Sequence, residues 1–497
     1  MSTKFFSIRI RTALATIALA GASLVFAQSD NHWVATWSAA PYLVESANMP
    51  PSPGLTNNTL RQVVRVSIGG DTLRLKLTNV NNTQATELKA VNIAVSSGGN
   101  KIEATTLKAL SFAGKASASL ASGASVTSDP IAFRLTPSMR VAITILYGAT
   151  SSNMTGHVGS RTNSYIVAGD KTTAADLAGS ASTPHWYSIN TIDVRAPQAA
   201  QAVGIIGNSI TDGYGLTPDL QNRWTDIFSE RLLANEKTKN VAVLNMGIGA
   251  TTVLGTAQTA GVTRFQRDIL DQQGIGWVIL FHGVNDIGSS NASATSLIAG
   301  LKQMASAAKA KGLKVYGGTI MPFNGNSYYS AAHEMVRREV NYFIRHDAVY
   351  DGVIDFDKTM RNPSDTTRLQ AAVNNDWLHP STAGYKVMGE SIDLKLFENG
   401  ISGLTRQPGI APAGAWLAWT NSVNGMAAIR FAIPQESYVS LRVRSVNGRV
   451  SAELAGRTFT AGSHTVELAQ DLPQGVYLCS IHAQGVAETR TIYVAGR

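Results

Sequence analysis

The sequence predicts an α/β core with a parallel sheet covered on both faces, set between two all-β regions. Three observations point there. Between residues 199 and 400, nearly all-apolar runs that end in Gly, Phe or Asp alternate with helix-like stretches. On either side, short β-branched segments follow one another with only turn residues between them. A Pro/Gly/Ala-rich stretch, residues 401–415, separates the last of these regions from the core.

Taken in order, residues 1–27 read as a secretory leader. Lys4, Arg9 and Arg11 precede an apolar run, and Val25-Phe26-Ala27 has the small-x-small form of a cleavage site. The run is short for a membrane span and no stop-transfer segment follows it, so a secreted protein with no transmembrane segment is expected. Residues 28–198 contain "TLRQVVRVSI", "DTLRLKLTNV", "AVNIAVSS" and "RVAITILYG", separated by Gly-Gly, Asn-Asn and Ser-Gly-Gly turns. This pattern suits an antiparallel β-sandwich. In residues 199–400 the strand-like runs are "QAVGIIG", "VAVLNMG", "WVILFHG", "KVYGGTIMPF" and "GVIDFD". Runs apolar on both faces, joined through helices such as "TSLIAGLKQMASAAKAKG", indicate a parallel sheet with its ligands at the carboxyl ends of the strands. Residues 416–497 are again β, with Asn447-Gly448 as a hairpin signal.

The chain of 497 residues carries a net charge of +9, and without the three basic residues of the leader the remainder carries +6. The basic residues are scattered, which fits solubility or weak attraction to acidic polysaccharide and argues against a nucleic-acid footprint. Cys479 is the single cysteine, so no internal disulfide is expected and "GVYLCSIHA" reads as core packing.

The stretch "GIIGNSITDGYG" raises the central question, whether Ser209 is a nucleophile or one more serine in a turn. A nucleophile needs a base, an orienting acid and oxyanion donors. Of nine histidines, His379 stands in "NNDWLHPSTAGY", with Asp376 three residues earlier and able to reach Nδ1; an Asx-turn before a helix would look the same. Gly247 ends the second core run, where the missing Cβ lets a substrate approach a backbone N–H. Asn285 follows the third and offers a side-chain amide. Each could be a plain turn residue. Ser209, Gly247 and Asn285 nevertheless follow consecutive strands, and Asp376 and His379 follow the last, so a parallel sheet would gather all five at one edge.

The four segments "GNSITDG", "NMGIG", "GVND" and "DWLH" resemble, in order, the sequence blocks of the GDSL, or SGNH, hydrolases. The resemblance implies a flavodoxin-like three-layer core, ester hydrolysis, and no metal or cofactor. It implies Ser209 as nucleophile, His379 as base, Asp376 as its orienting acid, and Ser209, Gly247 and Asn285 as oxyanion donors. Asn208 departs from the Asp usual before the serine. The segments "HWVATWSAAP", "TLRQVVRVSIGG" and "SDPIAF" resemble the leading β domain of a secreted subgroup of carbohydrate or short-chain esterases. The C-terminal β region resembles the small modules that end proteins exported by the type IX route, which implies secretion machinery as a partner. The expected substrate is an acetyl ester on plant-wall polysaccharide such as xylan, with Trp33, Trp37, Trp186, Trp416 and Trp419 as candidate sugar-stacking rings or core residues. A lipid-directed esterase or lysophospholipase, and a non-catalytic polysaccharide-binding surface protein, are the rival readings. A G-x-S-x-G elbow is absent, "HEMVR" lacks the second His of a zinc-protease helix, and "GIGATTVLG" has a misplaced third glycine for a dinucleotide loop.

Overall fold

In the computed structural model, residues 31–398 and most of 416–494 are described. The leader, the 401–415 linker and the Asn447-Gly448 turn lie outside the described residues. The chain divides into two compact units, one through Leu404 and one from Thr405.

The sheet of the α/β core has five parallel strands: β1 (Gln201–Gly207), β2 (Val241–Gly247), β3 (Ile275–Phe281), β4 (Lys314–Gly318) and β5 (Gly352–Ile354). Their spatial order is β2-β1-β3-β4-β5, the flavodoxin-like order. The order reverses beside β1, and a ligand crevice belongs at the carboxyl end of that strand. Every residue of β1 and β3 is buried, because helices cover both faces of the sheet. The helix Ala294–Ala310 turns Leu297, Leu301, Met304 and Ala308 to the sheet, and Ser293 caps its start through Ser296 N. At residues 331–346 the helix carries Glu334, Arg337 and Asn341 inward. Arg337 is there neutralised by Glu334 and Asp357, at 2.7 Å each.

The named strands of the N-terminal β region all pair antiparallel. A five-stranded sheet holds His32–Ser38, Gly70–Thr78 and Ile189–Ala196, and an eight-stranded sheet is centred on Asn58–Arg65 and Arg140–Tyr147. Leu60, Val64, Leu73, Leu75, Ile143 and Ile145 fill its interior. The same hydrophobic cluster continues without a break into the parallel-sheet core, through Val34, Trp37 and Trp186 to Ile205, Leu244 and Ile275. Polar ties accompany it: Ala35 N–H donates to Gln273 O and Val243 N–H to Ser67 Oγ. The β region and the parallel sheet therefore form one compact body.

The second unit has a three-stranded and a four-stranded antiparallel sheet. Val439, Leu441 and Val443 alternate inward on one strand, opposite Tyr477, Cys479 and Ile481 on its neighbour. Burial pushes the Cys479 thiol up to about 11, which suits a packing residue.

Candidate active site

At the carboxyl end of β1 the chain turns sharply. Asn208 is buried, and its Oδ1 accepts the Ile210 N–H at 3.1 Å; its carbonyl takes those of Thr211 and Asp212. The amide thus supplies the cap without a carboxylate's charge. Ser209 opens a single helical turn, Ser209–Asp212, closed by Gly213 in the left-handed region at φ 89°.

That turn places Ser209 Oγ 2.8 Å from His379 Nε2. His379 Nδ1 lies 2.8 Å from Asp376 Oδ2, while Asp376 Oδ1 accepts the backbone N–H groups of His379 and Leu378 at 2.7 and 3.0 Å. With Nδ1–H donating to the carboxylate, Nε2 presents its lone pair to the serine. Burial raises the cost of charging Asp376, but its hydrogen bonds with His379 and Leu378 outweigh this and hold the carboxyl below the usual carboxylate range. The short loop needs Trp377 at φ 65°, an uncommon left-handed conformation for a bulky residue.

The donors are arranged differently from the sequence expectation at one position. Gly247 N–H is engaged, donating at 2.9 Å to Asn245 Oδ1. A Cβ on Gly247 would lie 2.5 Å from Asp212 N and 2.8 Å from Thr211 C. The glycine is required because the serine turn packs directly on the end of β2, and it presents no N–H to a substrate. Two residues on, the backbone is open. Ala250 is exposed, holds φ 59°, and its N–H donates to no group among the described residues; the N–H of Ser209 is likewise uncommitted. Asn285 keeps one amide hydrogen free, the other going to Thr251 O at 2.8 Å. His282 Nε2 donates to the same carbonyl at 2.9 Å, and Asp286 accepts Val253 and Leu254 N–H at 2.8 and 2.9 Å. The loops after β2 and β3 are thereby locked together. Sequence reading missed Ala250, although its "GIGAT" setting directly after a strand was the available signal.

The N-terminal β region also reaches the site. His157 places Nε2 2.9 Å from Asp212 Oδ1 and Nδ1 2.9 Å from Ala40 O. Arg223 donates to Asp212 O at 3.0 Å and to the carbonyls of Gly159 and Ser160. The ring of Tyr214, 47% exposed, packs 4.3 Å from the His379 ring, centroid to centroid. Trp377 carries Arg368 over its face at 4.3 Å. The ring packed on the relay is therefore that of Tyr214. Trp37 and Trp186 are buried against each other, and Trp33 lies between Arg74 and Arg195; the side chains of Trp416 and Trp419 lie outside the described residues.

Residues 205–387 match the GDSL-like Lipase/Acylhydrolase family. No curated protein matches the chain. Among solved structures, it is similar to a member of the lipolytic protein G-D-S-L family from Veillonella parvula, at 23% identity over 39% of this chain and 96% of the other, TM-score 0.31. A GDSL-like lipase from Bacteroides thetaiotaomicron is similar at 18% identity over 39% and 85%, TM-score 0.29. A carbohydrate acetylesterase family member from Sinorhizobium meliloti is similar at 13% identity over 38% and 94%, TM-score 0.31. Residues 205–387 of this chain, with their serine turn and five-stranded parallel sheet, are thus a GDSL/SGNH acylhydrolase domain, a carboxylic ester hydrolase.

Proposed function

We propose that the protein is a serine esterase that removes short acyl groups, acetyl above all, from a polysaccharide such as acetylated xylan. The observation that carries the chemistry is the continuous relay Ser209–His379–Asp376, with both links at 2.8 Å. His379 Nε2 takes the Ser209 proton as Oγ attacks the ester carbonyl. The N–H groups of Ser209 and Ala250 and the free amide hydrogen of Asn285 receive the oxyanion. His379 then protonates the leaving alcohol. Water, deprotonated by His379, attacks the acyl-enzyme, and the serine regains its proton. Asp376 fixes the ring orientation throughout.

The carbohydrate reading is supported by the half-exposed ring of Tyr214, which packs on His379 and suits the apolar face of a sugar ring, and by the leader-like first 27 residues. The rival is a lipid-directed esterase. Ile210, Phe281, Val284, Ile320, Met321 and Leu378 line a small pocket together with Asn208 and His282, but its interior holds only about 10 Å³, the room of one water. A longer acyl chain would need these side chains to move apart. Acetate release from acetylated xylan, measured beside p-nitrophenyl esters of increasing length with Ser209→Ala as control, separates the two. Ser209-dependent acetate release, with rates falling beyond butyryl, is expected. Rates rising towards octanoyl with xylan untouched would transfer the function to lipids, and full activity in Ser209→Ala would overturn the mechanism.

A further inference from the structure

We infer that Arg161, supplied by the N-terminal β region, selects ester substrates that carry a carboxylate, such as uronate-containing acetylated polysaccharide. The inference rests on the esterase reading above. Arg161 sits in the segment that docks on the serine turn, between Ser160, whose carbonyl binds Arg223, and Asn163, whose N–H and amide bind Asp219. Its backbone is left-handed at φ 49°, and Asp219 N–H donates to its carbonyl. The side chain is a quarter exposed. Its guanidinium lies 6.0 Å from the Tyr214 ring, which packs on His379.

What marks this cation is how little the protein satisfies it. Its Nε is buried with no hydrogen-bond partner. The nearest carboxylate oxygen, Asp212 Oδ2, is 3.8 Å away, outside hydrogen-bonding range, and the other Asp212 oxygen is bound by His157. Arg264 and Arg61 are saturated by comparison: Arg264 binds Asp268 and three carbonyls, and Arg61 binds carbonyls and a hydroxyl. Arg368 shares the unpartnered Nε, but its guanidinium is stacked on Trp377. Its terminal Nη groups, which make no hydrogen bond among the described residues, stand next to the Tyr214 ring that packs on His379, and such a planar donor face fits a sugar carboxylate. The net charge, +6 without the leader, favours the same substrates at longer range.

The test uses p-nitrophenyl acetate hydrolysis by the full chain as readout and galacturonate oligomers as competitors. Wild type should be inhibited competitively, and at least tenfold more weakly by the same oligomers with their carboxyls methyl-esterified. Arg161→Gln should lose most of this discrimination, Arg161→Lys should retain part of it, and rising salt should weaken it in wild type. On acetylated polygalacturonate and its methyl-esterified form, the ratio of the two kcat/KM values should fall about tenfold in Arg161→Gln. Equal inhibition of wild type by both oligomers, or unchanged discrimination in Arg161→Gln, would overturn the assignment. So would inhibition by anionic phospholipid vesicles with none by oligogalacturonate. If p-nitrophenyl acetate is not hydrolysed at all, the esterase reading itself fails.

Discussion

His282 illustrates how one side chain supports a site it does not touch. It lies at the end of β3 with Nε2 donating to Thr251 O, the carbonyl that also holds the Asn285 amide. Nδ1 is buried without a partner. Burial first, and then the positive charge of Arg264, lower its pKa from 6.5 to about 3, so the ring is neutral at neutral pH. The unfolded chain takes up this proton near pH 6.5 and the folded protein only near pH 3, so acidification favours unfolding across that window. Stability measured by urea titration should fall below pH 6.5 by up to roughly 1.4 kcal/mol per pH unit, and His282→Gln should flatten the slope. At the reacting centre, Asn285→Ala should lower kcat about a hundred- to a thousand-fold with little change in KM, the cost of one oxyanion donor. Ala250→Pro, which removes an N–H and forbids a positive φ, should do at least as much; Gly247→Ala should act through stability, read as a lowered melting temperature.

At the scale of elements, the carboxyl ends of β1 and β2 need their carbonyls satisfied where the strands stop and the serine turn begins. Arg264, fully buried, donates to Gly207 O at 2.9 Å and Met246 O at 2.6 Å, and is neutralised by Asp268 at 3.2 Å. Arg264→Met would orphan both carbonyls, while Asp268 keeps its pair with Arg267. Urea unfolding should show a loss of roughly 2–5 kcal/mol from the two unsatisfied acceptors.

For the molecule as a whole, the β region and the parallel sheet share one hydrophobic cluster, and His157 and Arg161 reach the serine turn across it. Residues 199–398 expressed alone should therefore aggregate or lack cooperative unfolding by circular dichroism. Residues 28–404 should fold and hydrolyse p-nitrophenyl acetate. Soluble, active 199–398 would contradict the shared core.

The strand runs, the alternation with helices, and Ser209, Asn285, Asp376 and His379 were legible in the sequence, because apolar periodicity and turn chemistry are local properties. Chain order along a parallel sheet then brings those residues to one edge. The role of Gly247 was misread for a physical reason: a glycine after a strand looks the same whether it admits a substrate or a packed helical turn. Only the tertiary contacts at 2.5 and 2.8 Å distinguish the two. Tyr214, His157 and Arg161 carry no local signature, and Ala250 carries only its place just after a strand. Their places depend on a left-handed backbone at one residue, or on a loop that meets the serine turn from another part of the fold. Local chemistry thus determined the kind of reaction, whereas packing between distant segments decided which donors stay open and which side chains stand at the rim.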